Sequence, residues 1–400
     1  MTASGFSRKI HELLPDIRRR REEIERGRRL PRDLVDQLIT TGVFRLAVPR
    51  GLGGEELDPL DQTRVIETIS VADGSTGWCT MIALGNGVFA GFMHERGAKE
   101  VFADPSLPTA ASIAPAGAAV PTNGGFRVSG RWRFASGIEH TGWVLAGCTV
   151  MEDGTPRMAP LGIPEIAHVF MPVSDVQIHD TWNASGLCGT GSHDFEATDV
   201  FVPEERVASL FDPARHRPEP LYQMPLLPLF APQIAAVGLG IARAALDELT
   251  TLSIDKTPTF STSRMADKPV TQVELARAEA TLGAARALLY DALDDLWQAV
   301  VAGRQPTKRQ HAMCRIAAVH ASETAACGTH RECAGWWDVD LHLVAVAAAR
   351  PRRRRGDAPR DAVTPDVGGV WTGTSRPRPS VPDLLAPPDR GLVAQFFSPS

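Results

Sequence analysis

Between Val270 and Ala302 one side of the chain repeats a single pattern: Leu275, Ala278, Leu282, Ala285, Leu289, Ala292, Leu296 and Ala299 recur at spacings of three and four. That is the period of an α-helix, and at ~1.5 Å per residue the stretch reaches roughly 50 Å. Most of a helix's stability comes from packing its apolar face, so this stripe needs cover. It is the centre of a helical bundle, a subunit interface, or both. Other helices must therefore exist to receive it.

They are written on both sides. Ser7 to about Arg26 alternates apolar and charged residues at helical spacing, with Gly27 as a stop. Pro31 opens a second helix with Leu34, Val35, Leu38 and Ile39 on one face, and Gly42 ends it. Asp58-Pro59 reads as a cap and first-turn proline for a third helix through Ile69. Gly77 to Met93 is apolar enough to need burial on nearly every side. After the proline-rich link from Pro213 to Pro232, helical spacing returns over Ile234 to Leu252 and again over Thr307 to Ala325.

The middle differs. Short alternating runs appear at Phe126–Val128, Trp132–Phe134, Trp143–Gly147, His168–Pro172 and Val200–Val202, divided by turn signals such as Asn123-Gly124-Gly125 and Asp153-Gly154. The expectation is an α+β multidomain chain: an N-terminal helical domain (1–107), a central antiparallel β domain (108–212), an incomplete C-terminal helical bundle (213–326) and an irregular tail (327–400).

Bulk properties exclude more than they assign. A net charge of −5 over 400 residues names no polyanionic partner, so no nucleic acid is expected. No window reaches the roughly 18 unbroken apolar residues of a membrane span, and the start of the chain has no signal-peptide core. Cys79, Cys148, Cys188, Cys314, Cys327 and Cys333 include no C-x-x-C pair, which reads as reduced thiols in a cytoplasmic protein without a metal framework.

Four strings in order carry a resemblance. They are GVFRLAVPRGLGGEELD (Gly42 to Asp58), DGSTGWCTMI (Asp73 to Ile82), SGRWRFASGIEHTGW (Ser129 to Trp143) and GLCGTGSHDFEATDVFVPEERV (Gly186 to Val207). Together they resemble the acyl-CoA dehydrogenase superfamily, including its flavin-dependent hydroxylase branch, over about residues 5 to 325. The resemblance implies an oxidoreductase using FAD or FMN, wedged between the β domain and the C-terminal bundle, with a dimer or tetramer in intact relatives. A Rossmann unit is not implied: GLGIAR (Gly238 to Arg243) lies in a helix with no preceding strand.

Carried over residue by residue, the resemblance places Ser136 beside flavin N5, where its hydroxyl or the Gly137 amide steadies the ring as it is reduced or meets oxygen. Gly137 would also let the backbone approach the ring. The competing reading is a turn at a strand end. Phe134 matches an aromatic residue near the ring, with core packing as the alternative. Thr190 and Ser192 form a polar loop for flavin or substrate, or a bulge. Phe260, with Ser261 and Gln272, loosely matches a flavin-phosphate segment near Lys256 and Arg264, whose charges also read as solvated surface. Cys188 stands where the family often has Arg. Asn86 stands where hydroxylases commonly carry a His, which leaves His140 as the catalytic imidazole near the ring. His193, His311 and His320 read as structural.

Acyl-CoA dehydrogenation needs a carboxylate base over the substrate. Glu248, Asp291, Asp294 and Asp295 read as exposed helix faces, which moves weight toward a monooxygenase fed with reduced flavin by a partner reductase. The alternatives are an FAD-dependent acyl-CoA dehydrogenase and an inactive flavin-binding scaffold.

The tail does not fit the resemblance. Trp336-Trp337 stand together, a basic run spans Pro351 to Arg355, and no periodicity follows. Shifted by one base, the two tryptophans must give Gly-Gly, because tryptophan has one codon. Residues 338 to 348 then become compatible with Thr-Ser-Ile-Tyr and Pro-Leu-Gln-Arg strings like the family's final helices. The reading is a single-base frameshift near residues 325 to 333, with flavin retention, solubility or assembly weakened as a result; the alternative is an authentic, disordered tail. Sequencing the gene across codons 315 to 400 checks it: one inserted or lost base is expected, and an uninterrupted frame contradicts the reading.

Overall fold

The computed structural model describes residues 3–159, 162–209, 217–259 and 261–334, so the tail from residue 335 onward lies outside the described residues. Helices come first: α1 (Ala3–Arg19), α2 (Arg21–Gly27), α3 (Arg32–Thr41), α4 (Pro59–Ala72), α5 (Gly74–Asn86) and α6 (Glu95–Val101). The strands follow as β1 (Ala110–Thr122), β2 (Gly125–Ala135), β3 (Trp143–Glu152), β4 (Thr155–Pro156), β5 (Ile166–Pro172), β6 (Gln177–His179), β7 (His193–Pro203) and β8 (Val207–Ala208). Helices return as α7 (Pro220–Gln223), α8 (Leu226–Asp255), α9 (Pro269–Val301) and α10 (Lys308–Ala334).

Two helix boundaries differ from the sequence reading. The expected first helix breaks at Arg20, whose guanidinium holds Glu23 at 2.7 Å and reaches across to Asp33 of α3 at 2.7 and 2.8 Å. The proline-rich link ends earlier than expected, because α8 starts at Leu226 and takes in Pro228 and Pro232. Pro228 sits in the first turn, where its missing N–H would have no helical partner; Pro232 sits deeper, where the helix forgoes one bond. The Leu/Ala stripe of α9 is received as the spacing requires: Leu282, Ala285, Leu289 and Ala292 pack with Leu239 and Leu246 of α8 and with Ala317, Ala321 and Ala325 of α10.

The sheet order is β6-β7-β2-β1-β3-β5-β8, with β4 on β3. The expectation of an antiparallel domain needs one correction: β1 and β3 are parallel, with Ala110 opposite Val144, so the sheet is mixed. The reason lies in the connection. β1 and β2 form a hairpin, and the chain then crosses the start of β1 to begin β3 on its other side. The crossing segment, residues 136–142, carries Ser136, Gly137 and His140. Trp132 locks this arrangement. Its indole lies stacked on Phe195 (4.9 Å, 13°), and its Nε1–H reaches over β1 to donate to the Gly147 carbonyl of β3 at 2.6 Å. Position 117 must be glycine for this, since a Cβ there would come within 2.1 Å of the indole.

His168 of β5 is buried, with its ring 5.4 Å from that of Phe89 and its Nδ1 without a partner. Burial pushes its pKa down to about 4. With an unfolded value near 6.5, this group adds stability above about pH 6.5 and loses it as pH falls toward 4, up to about 3 kcal/mol in all. Urea unfolding from about pH 7.5 to 4.5 should therefore show a slope that flattens in His168→Phe; equal slopes in the two proteins would contradict the assignment.

Candidate active site

The site is built at the end of the sheet where α5 lies against the crossing segment. α5 begins at Asp73, whose carboxylate accepts from the Thr76 amide at 2.6 Å and the Thr76 hydroxyl at 2.7 Å. Burial raises the Asp73 pKa, and these two bonds oppose that rise. Along α5 every residue is buried except Gly74, Trp78 and Ile82, which are partly open. Their spacing of four puts them on one stripe. Trp78 donates its indole N–H from that stripe to Ser136 Oγ at 2.9 Å.

Ser136 opens a chain of hydroxyls. Its Oγ lies 2.7 Å from Ser192 Oγ, which lies 2.7 Å from Thr190 Oγ1, which donates to the Leu187 carbonyl at 2.8 Å. All three side chains are buried. The backbone closes around them: the Gly137 amide donates to the Thr190 carbonyl at 2.8 Å, and Cys79 Sγ donates to the same oxygen at 3.6 Å. The sequence reading offered the Gly137 amide to a flavin; its bond to Thr190 engages it inside the protein instead. Glycine is required at 137 because φ is +74° there.

Phe134 is where the structure departs most from ordinary packing. It is 56% exposed and adopts φ +65°, at a register shift between Trp132 and Ala135 in the β2–β7 ladder. That excludes the core-packing alternative. A bulky residue held in the left-handed region carries strain, and strain of this kind gathers at functional positions. Its ring stands edge-on to Trp182 at 6.0 Å. Trp182 is itself fixed, donating Nε1–H to the Leu187 and Cys188 carbonyls at 3.1 Å each and its amide to His193 Nδ1 at 3.3 Å. His193 is thus a buried hydrogen-bond acceptor, in keeping with the structural role read for it.

His140 ends the crossing turn, half-buried, its amide donating to the Gly137 carbonyl at 2.9 Å. Burial lowers its pKa, so the ring is neutral at pH 7, and its buried Nε2 lacks a hydrogen-bond partner. Asn86, on the site of the expected imidazole, donates to the Thr109 carbonyl at 3.1 Å. Ser136, Gly137, Thr190 and Ser192 are therefore brought together, with Phe134 and His140 flanking them in the chain. Phe260 lies outside the described residues. Between α8 and α9, Arg264 pairs with Asp267 at 3.5 Å, and Gln272 in the first turn of α9 donates to the Ala266 carbonyl at 2.8 Å.

Sequence reasoning missed one member. Trp78 was visible in the string DGSTGWCTMI, but nothing there told which way its N–H points. Glu67 is a buried carboxylate in the helices, held by Arg286 Nε and the Tyr290 hydroxyl, each at 2.6 Å. Of the acidic residues weighed from sequence, Glu248 is ion-paired with Arg21. Neither is a free base.

These groups fit a flat, partly polar ring: an exposed aromatic held under strain, a hydroxyl facing an open helix stripe, and an imidazole nitrogen awaiting a partner. The chain is also similar to known proteins along most of its length. The model for the N-terminal domain of acyl-CoA dehydrogenase matches residues 11–110, and the model for its C-terminal domain matches residues 233–334. Indole-3-acetate monooxygenase of Acinetobacter baumannii is 34% identical over 320 residues, covering 79% of this chain and 80% of that protein. The oxygenase subunit HsaA of a flavin-dependent monooxygenase from Rhodococcus jostii is 32% identical, covering 74% and 78%. The crystal structure of the HsaA monooxygenase from M. tuberculosis superposes with a TM-score of 0.78 at 28% identity, over 87% of this chain and 91% of that one.

Proposed function

The chain belongs to the acyl-CoA dehydrogenase family, in its flavin-dependent monooxygenase branch, and from that premise we propose that it hydroxylates a small aromatic substrate with reduced flavin and dioxygen. The observation that carries the reading is the hydrogen-bonded chain that runs from Trp78, on the open stripe of α5, through the buried hydroxyls of Ser136, Ser192 and Thr190. The flavin is FAD or FMN, and it arrives reduced from a separate reductase; relatives named as oxygenase subunits support that partner.

Ser136, Phe134, the backbone at Gly137 and the Thr190–Ser192 loop would hold the flavin, with the Ser136 hydroxyl toward N5 and Phe134 against the ring; Phe260, the remaining residue of that reading, lies outside the described residues. Bound reduced flavin supplies the two electrons with which dioxygen is activated. The protein does the rest. Trp78 fixes the Ser136 oxygen in place, and the buried hydroxyls keep water from that corner. His140, neutral through burial, holds or delivers a proton at Nε2. Acyl-thioester dehydrogenation is set aside, because the matched relatives are monooxygenases and the buried Glu67 is already bound by Arg286 and Tyr290.

We also assign the chain to the cytoplasm and to a dimer or tetramer. Free Cys79, Cys148, Cys188 and Cys314 support the first. Helix α8 is long and apolar enough to cross a membrane, but 61% of that stretch is buried within the fold. Exposed Val270 and Val273 on α9, with Ile316 and Val319 on α10, support assembly. The frameshift reading draws support from the end of the family match at residue 334.

The test supplies the full chain with chemically reduced flavin, indole-type or phenolic substrates and ¹⁸O₂. The expected product carries one labelled oxygen, and Ser136→Ala lowers product formed per flavin oxidised by roughly tenfold, about 1.4 kcal/mol in the range of one hydrogen bond. Unlabelled product, or acyl-CoA oxidation without oxygen, would overturn the reading.

A further inference from the structure

We propose that Ser192 and Thr190 are positioning residues that set the direction of the Ser136 hydroxyl, so that Ser136 meets the flavin only as a hydrogen-bond acceptor and the site selects the reduced form. The inference rests on the reading above that Ser136 faces N5. It adds a reason why this corner distinguishes two oxidation states of one ligand, and it assigns that task to residues that need not touch the ring.

The direction follows from counting protons. An indole N–H can only donate, so Trp78, at 2.9 Å, occupies one lone pair of Ser136 Oγ. At the far end Thr190 Oγ1 donates to the Leu187 carbonyl at 2.8 Å, which uses its single proton. Its 2.7 Å contact with Ser192 must then be one it accepts, so the Ser192 proton points to Thr190. Ser192 has no second proton to give, so its 2.7 Å contact with Ser136 is accepted from Ser136. One arrangement alone gives every contact a proton, and in it the Ser136 proton points inward. What Ser136 can offer outward is one unshared lone pair. The adjacent amides do not supply a donor in its place, since Ser136 N–H donates to the Phe134 carbonyl at 3.0 Å and Gly137 N–H to the Thr190 carbonyl at 2.8 Å.

Flavin N5 changes character with oxidation state. Oxidised, it carries a lone pair and accepts; reduced, it carries a proton and donates. A lone pair facing a lone pair leaves two acceptors unsatisfied. Ser136, Ser192 and Thr190 are 5%, 4% and 1% exposed, so water has little room to bridge them. A lone pair facing N5–H makes a hydrogen bond. The same three hydroxyls could be there only to cap the turn at Leu187, but a capping role would weaken both oxidation states alike. Selection alters their ratio.

The experiment measures dissociation constants of the full chain for oxidised and for chemically reduced flavin, anaerobically, by fluorescence or calorimetry. The unmodified chain should bind the reduced form more tightly. Ser192→Ala removes the acceptor that holds the Ser136 proton inward. Thr190→Val, close in shape, frees Ser192 to donate back to Ser136. Each should shrink the reduced-over-oxidised preference by about three- to tenfold, the worth of one hydrogen bond. The tenfold end is a fall of about 30 mV in the midpoint potential of bound flavin. Ser192→Thr keeps the hydroxyl and should restore the preference. If both variants bind flavin with an unchanged ratio, or lose both forms equally, the relay does not set polarity, while the flavin reading stands. If the unmodified chain binds neither form, the flavin reading fails and this inference with it.

Discussion

The contact between the Trp78 indole and Ser136 joins two parts of the molecule that sequence distance keeps apart. It ties the one open stripe of an otherwise buried helix to the segment by which the chain crosses from β2 to β3. A single hydrogen bond adds only about 1 kcal/mol net, but a buried donor left without its partner costs about 1–3 kcal/mol. The indole therefore holds the hydroxyl chain in register more by what its loss would leave exposed than by its own strength. Every other feature of the site is arranged around that line: the Thr190 turn behind it, the strained Phe134 before it, and His140 at the end of the same turn.

The fold makes this corner possible through a topological choice. A plain meander would have placed β3 antiparallel to a neighbour joined by a short hairpin. Here the chain passes over the start of β1 instead, and the parallel β1–β3 pair is closed by Trp132 bonding to Gly147. The crossing turn is thereby held at the sheet's end, where α5 packs, rather than left as a free loop. A site on a turn braced by a helix and a tryptophan is stiffer than one on an exposed connection.

Much of this was legible in the residues, and the gaps have physical causes. The Leu/Ala spacing of α9, the Asp58 cap and the stop at Gly42 are local signals, and each is visible within a few residues. The sequence also marks Ser136, Thr190 and Ser192 as separate polar points. It does not say that they touch, because 56 residues separate Ser136 from Ser192 and only the sheet register brings them together. The parallel pairing of β1 and β3 was hidden for the same reason: alternation marks a strand but not its neighbour's direction. Proline clusters misplaced the start of α8, since a first-turn proline resembles a linker when read alone. Phe134 was read as near a ring or in a core, and only its φ of +65° and its exposure decide against the core.

The central claim is that the Ser136 corner seats the flavin ring. The measurement that meets it most directly is a crystal structure of the full chain with reduced flavin, prepared without oxygen. The account predicts N5 at hydrogen-bond distance from Ser136 Oγ, about 3 Å, with Phe134 against the ring. A ring bound elsewhere, with Ser136 still closed against Trp78 and Ser192 alone, would contradict it.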